Sequence, residues 1–192
     1  MSSQVISLAE YRKRVVTNRL GLWLFIISDS FLFGGLLVAR FYLLGTHQRP
    51  EVSQVVGLVV TSVLLLSSFF MNRAEIAIAH GDQKSFLRGT LITLVLGVLF
   101  LVGVVGVEWQ IVPYGPSHDA TWSLFFTMTG FHALHVLSGV VFLAIIYRNG
   151  RKGLYSPDRH WPVEAAAVYW HFVDVVWIFF YPALYLIGHA VV

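Results

Sequence analysis

Long apolar stretches alternate with short polar ones along this chain, five times over. Apolar runs at about 20–44, 52–79, 86–109, 122–147 and 163–187 are separated by segments rich in Gly, Pro and charge: 45–51, 80–85, 110–121 with Pro113, Gly115 and Pro116, and 148–162 with Gly150, Gly153 and Pro157. Each run is long enough to span a hydrocarbon core of about 30 Å, which takes about 20 helical residues at about 1.5 Å apiece. Backbone polar groups in lipid must be satisfied within their own segment, so helices are expected. The pattern predicts an all-α membrane protein: a cytoplasmic tail over 1–19, then a five-transmembrane-helix bundle over 20–192, with no water-soluble domain. The first run is about 25 residues long, follows a polar tail and ends over 40–45 without a small-residue cleavage site. It therefore reads as a retained span and not as a signal peptide.

Composition agrees with lipid as the solvent, at 57% hydrophobic, 12% charged and a mean hydropathy of +0.72. The absence of cysteine excludes disulfides, thiolate metal sites, iron–sulfur clusters and a cysteine nucleophile. A net charge of +3 would suit a nucleic-acid partner, but the position of the charge argues otherwise. Of the 13 Lys and Arg residues, eleven fall on one predicted side: Arg12, Lys13, Arg14 and Arg19 before the first helix, Arg73, Lys84 and Arg88 around the second loop, and Arg148, Arg151, Lys152 and Arg159 in the fourth. Only Arg40 and Arg49 flank the first loop, and the third loop and C-terminus have none. By the positive-inside rule the N-terminus is cytoplasmic and the C-terminus outside, with no nucleic acid involved. Trp109, Tyr114, Trp122, Tyr147 and Trp161 fall near predicted interfaces, where an aromatic belt is expected.

Polar side chains at membrane depth are costly and mark function or interhelical contact. Asp29 lies about nine residues into the first apolar run with no Lys or Arg beside it. His132 and His135 share one face of the fourth helix, and His171 and Asp174 repeat that spacing in the fifth, with Glu164 on much the same face. Together these residues are candidates for one interhelical polar cluster. Three chemistries suit it: a metal or haem site, although the spacings match no closed ligand set; a proton relay; or a hydrogen-bonded network that locks the fourth and fifth helices, with lipid head groups included. Trp170, Trp177 and Tyr181 lie near one face of the fifth helix and read as packing.

Two long motifs carry a family resemblance. The segment 125–139, FFTMTGFHALHVLSG, followed by 164–177, EAAAVYWHFVDVVW, closely resembles subunit III of haem–copper oxidases. The Gly21-Leu22-Trp23-Leu24-Phe25 stretch leading to Asp29 looks like the same family, so the resemblance covers nearly all of the chain after residue 19. It implies the short, five-helix form. The long form has seven helices and a V-shaped cleft that holds phospholipid between its first pair and the rest; the first pair is absent here. The resemblance further implies no haem, copper or other redox cofactor in this chain, and no catalytic or metal-binding residue. Haem and copper would belong to partner subunits, with subunit I as the main contact and subunit II also present in a hetero-oligomer. The implied role is a non-catalytic one in aerobic respiration, stabilising the catalytic subunit and supporting proton uptake, in the bacterial inner membrane and with bound phospholipid. Asp29, His132, His135, Glu164, Trp170, His171 and Asp174 are then lipid-binding or helix-locking groups, with Asp29 the candidate for a proton-linked role.

The chain departs from the mitochondrial-type pattern twice. Asp29 stands where Glu is usual, which resembles the quinol-oxidase branch and nitric-oxide-reductase-associated relatives. The end of the second helix reads EIAIAHGD over 75–82, where long members often carry a His pair. The cytochrome c type is the expected assignment, with the quinol oxidase as alternative and a stand-alone membrane metal-binding enzyme or carrier as the reading from a different class.

Overall fold

A computed structural model describes residues 7–191. Five helices long and apolar enough to cross a membrane account for most of it: α1 Leu8–Leu44, α2 Gln54–Ala79, α3 Gln83–Ile111, α4 Ala120–Arg151 and α5 Trp161–Leu186. Their starts follow from local chemistry. Side chains of Ser7, Ser53, Asp82 and Asp119 each accept a backbone N–H from the first turn of α1, α2, α3 and α4, and α5 opens on Trp161-Pro162, where the missing proline N–H has no helical partner to lose.

α1 begins a dozen residues before its apolar run. Ser7 caps it, and an Arg14–Glu10 ion pair of 2.7 Å supports its first turns, so the residues expected as a tail up to 19 are helical from Leu8 on. Hydropathy marks where a helix enters lipid, not where it begins.

α5 is the central helix. Of its most apolar window 61% is buried, against 11% for α1, which leans on the outside of the bundle. Trp170 fills the centre because two neighbours lack side chains: a Cβ on Gly97 would approach its ring to 2.5 Å and one on Gly139 to 2.8 Å. Two of the α5 indoles find acceptors on α2, Trp170 Nε1–H donating to Ser67 Oγ and Trp177 Nε1–H to Thr61 Oγ1, both at 2.9 Å. Trp122, expected at the interface, is instead fully buried between Tyr114 and Phe125. The cause is its place one turn into α4, where it faces the bundle and not lipid.

Two helices change pitch near one end of the molecule. The α3 helix runs as a π-helix over Val102–Glu108, with Trp109 N–H bonded to Val104 O, and α5 does so over Pro182–Leu186, with Ile187 N–H bonded to Pro182 O at 2.9 Å. Pro182 has no N–H to continue the α ladder, so the slip in α5 has a local origin. Beyond it, Gln48–Pro50 (β1) and His189–Val191 (β2) pair in parallel, with Gln48 opposite His189. At the other end Tyr11 and Arg19 of α1 meet Trp161 and Glu164 of α5. The first and last helices therefore run in the same direction, and the described termini lie at opposite ends.

Candidate functional site

The polar groups at membrane depth do not converge. Asp29 with His135 and Ser68 with His171 and Asp174 each join two helices while His132 makes no hydrogen bond, which corrects the expectation of a single cluster locking the fourth and fifth helices. The reason is geometric: His135 and His171 lie on faces of α4 and α5 that meet different neighbours.

The first contact joins α1 to α4. Asp29 Oδ2 lies 3.2 Å from His135 Nε2, with both side chains largely covered at 15% and 19% exposure, and the Phe33 ring stands edge-on to the imidazole with centroids 4.7 Å apart. His135 Nδ1 is 2.7 Å from Phe131 O and donates there, which fixes the ring. Asp29 lacks a Lys or Arg, as its sequence context implied, but not a partner.

The second joins α2 to α5. Ser68 Oγ–H donates to Asp174 Oδ2 and accepts from His171 Nδ1 at 2.8 Å, because one hydroxyl hydrogen cannot serve both contacts. Asp174 Oδ1 and both ring nitrogens of His132 are buried without a hydrogen-bond partner. His132 sits against Phe100, Trp177 and Phe180, an aromatic box of the protein interior. Glu164 belongs to neither group. It lies at the end of the bundle and pairs with Arg19 at 2.6 Å and His160 at 3.3 Å.

Residues outside the sequence-derived set complete the picture. Ser67 and Ser68 supply the α2 side of the contacts with Trp170, His171 and Asp174. Glu108, fully buried at the end of the α3 π-helix, accepts the Tyr185 hydroxyl at 2.5 Å from the α5 π-helix. Its sequence signal was a lone acid in an apolar run, the same one that drew attention to Asp29. Arg40 is equally buried: Nε donates to Ala183 O (2.6 Å), Nη1 to Gly45 O (2.5 Å), and Nη2 to Gln48 O (2.8 Å) and Ile187 O (2.9 Å). One guanidinium thus gathers the end of α1, β1 and the end of α5, using the fork of donors that only Arg offers.

What this arrangement does chemically is hold helices together. Among the described residues no three His, Cys, Asp or Glu side chains come close enough to hold a metal ion. A Ser between a His and an Asp, with the His not bridging them, also lacks the relay order of a nucleophilic triad.

Comparisons with known proteins find relatives over most of the chain. The profile described as "Cytochrome c oxidase subunit III" covers residues 8–189. "Cytochrome c oxidase subunit 3" of Thermostichus vulcanus is 38% identical over 174 residues, spanning 88% of this chain and 86% of the relative. The proteins of the same name from Ceratotherium simum and Bos taurus are 37% identical over 183 residues, spanning 88% of this chain and 69% of theirs.

Proposed function

The chain belongs to the cytochrome c oxidase subunit III family, and from that premise we propose that it serves as a non-catalytic subunit of a haem–copper terminal oxidase of the cytochrome c type. In this reading it packs on subunit I, with subunit II in the same complex, and stabilises the catalytic subunit. It also helps supply protons from the cytoplasmic side and carries phospholipid. The observation that carries the reading is the pairwise use of the deep polar groups: Asp29 with His135 and Ser68 with His171 and Asp174 are spent on joining helices. Haem and copper, with the oxygen chemistry, belong to the partners. The contribution of this chain is a rigid apolar body with a basic cytoplasmic end, in the inner membrane of a bacterium.

Affinity purification through a tag on this chain, from its native membrane, tests the reading. The expected result is a haem- and copper-bearing partner in the same sample and oxygen consumption with reduced cytochrome c. Consumption with a quinol in place of cytochrome c assigns the quinol-oxidase branch that Asp29 resembles. Stoichiometric iron or copper retained by this chain alone, after separation from every partner, overturns it.

A further inference from the structure

Polar contacts at three levels hold α1 to the bundle, with little apolar packing to help them. Its buried residues are Ile26, Phe33, Arg40 and Leu44, and its most apolar window is 11% buried against 28% or more for the other four helices. Lipid is as apolar as the helix faces it would replace, so a helix this thinly packed depends on its polar contacts for its place.

The three contacts differ in how firmly they hold. At the C-terminal end Arg40, fully buried, donates to four carbonyls from three elements. Midway, Asp29 meets His135 under partial cover. At the N-terminal end Arg19 pairs with Glu164 at 2.6 Å, with 54% and 22% of the two side chains exposed. The same guanidinium lies 5.5 Å over the Trp161 ring, and the Trp161 N–H donates to the Tyr11 hydroxyl at 3.1 Å. Water reaches this last contact, and a wet ion pair is weak.

Gly34-Gly35 lies between the firm end and the weak one. Glycine inside a helix loses more backbone freedom on folding than alanine does, so it needs a reason. Gly97 and Gly139 have one, the Trp170 ring that a Cβ would strike, whereas a Cβ on Gly34 or Gly35 would meet nothing within 4 Å. Packing within this chain does not call for the pair. A glycine pair is, however, one of the few places where a helix bends sharply.

We infer that α1 is a hinged helix, pivoting at Gly34-Gly35, with its C-terminal part fixed by Arg40 and its N-terminal part latched to α5 by Arg19 on Glu164. Asp29 lies on the moving part, five residues before the pivot, so the latch governs whether it stays against His135. Lys13 lies 21 residues before Gly34, and a bend of about 20° at the end of about 31 Å of helix carries it about 10 Å.

Distances between spin labels, measured by double electron–electron resonance on the full chain in lipid nanodiscs, test the hinge, and no native cysteine competes for the label. One labelled pair, Lys13→Cys with Lys152→Cys, joins the moving part to the end of α4, and a second, Tyr42→Cys with Val55→Cys, reports on the fixed end; all four positions are exposed. With the latch intact each pair should give one distance. R19Q/E164Q should add to the first pair a second population shifted by about 10 Å and leave the second pair unchanged, which also shows that the variant is folded. R19Q alone leaves Glu164 its contact with His160, guards against a folding failure of the double variant, and should give the same second population. G34A/G35A fits the open space at both positions, stiffens the helix, and should abolish that population when combined with R19Q/E164Q. A single unchanged distance for the first pair after loss of the latch overturns the proposal. So does a shift of both pairs together, the mark of a rigid rod, or a second population that survives G34A/G35A.

Discussion

Asp29 and His135 meet between α1 and α4, with Oδ2 and Nε2 3.2 Å apart. His135 Nδ1 donates to Phe131 O, which leaves Nε2 facing Asp29. An amide has nearly the shape of the carboxyl group and offers a donor to that nitrogen. Asp29→Asn is therefore expected to leave assembly, oxygen consumption and the lifetime of the enzyme during turnover unchanged across pH in the purified complex. A deficit confined to alkaline pH in a fully assembled complex would make Asp29 part of proton delivery. Arg40 is the opposite case, a charge whose removal strands four carbonyls. Arg40→Met should lower stability by about 3 kcal/mol, the cost of leaving one buried and three partly buried carbonyls without their donor, read as a lower unfolding midpoint in detergent. Arg40→Lys should recover only part, since one ammonium cannot span carbonyls from three elements.

At the scale of the element, the start of α3 depends on one carboxylate. Asp82 accepts from the Ser85 hydroxyl and backbone, and these bonds hold its carboxyl below the usual range of about 3.8. A carboxyl with a depressed folded value stabilises the fold above its unfolded value, and that contribution is lost as the pH falls through the folded one. The stability of wild-type chain in detergent should therefore decline below about pH 4 through this cap. Asp82→Asn keeps an N-cap acceptor and should remove that part of the decline, which unfolding midpoints measured across acid pH would reveal. The two π-helical stretches act as elements in another way. They turn Glu108 of α3 and Tyr185 of α5 toward one another, and Gly57 of α2 leaves room for the tyrosine ring, which a Cβ there would approach to 2.5 Å.

For the whole molecule, the charge asymmetry is sharper than a residue count suggests. The two basic residues at the end away from the N-terminus are both turned inward, Arg40 onto four carbonyls and Arg49 onto Gly188 O and Pro50 O. Among the described residues the other end is the strongly basic face, and the positive-inside rule predicts a cytoplasmic N-terminus from it. With no native cysteine to interfere, single cysteines at Ser117 and His189 should react with an impermeant maleimide in intact cells, while one at Ser156 stays protected. The reverse labelling pattern would invert the topology. α1 is only 11% buried over its most apolar window, so most of its apolar surface is exposed.

Span number, helical class and the sidedness of charge were legible in the sequence, because hydropathy and the position of Lys and Arg are properties of single segments tested against a bilayer. So were Asp29, His135, His171 and Asp174 as residues needing an explanation, since an isolated polar group at membrane depth is conspicuous in one dimension. Their partners were not legible. Ser68 carries no signal among the other hydroxyls of α2, and whether His132 meets a carboxylate or an aromatic box depends on how α3, α4 and α5 rotate against each other. That rotation is decided by packing: where Gly97 and Gly139 admit Trp170, and where Pro182 shifts the hydrogen-bond ladder by one residue. Contacts between residues more than a hundred positions apart depend on such fits, and sequence periodicity does not encode them.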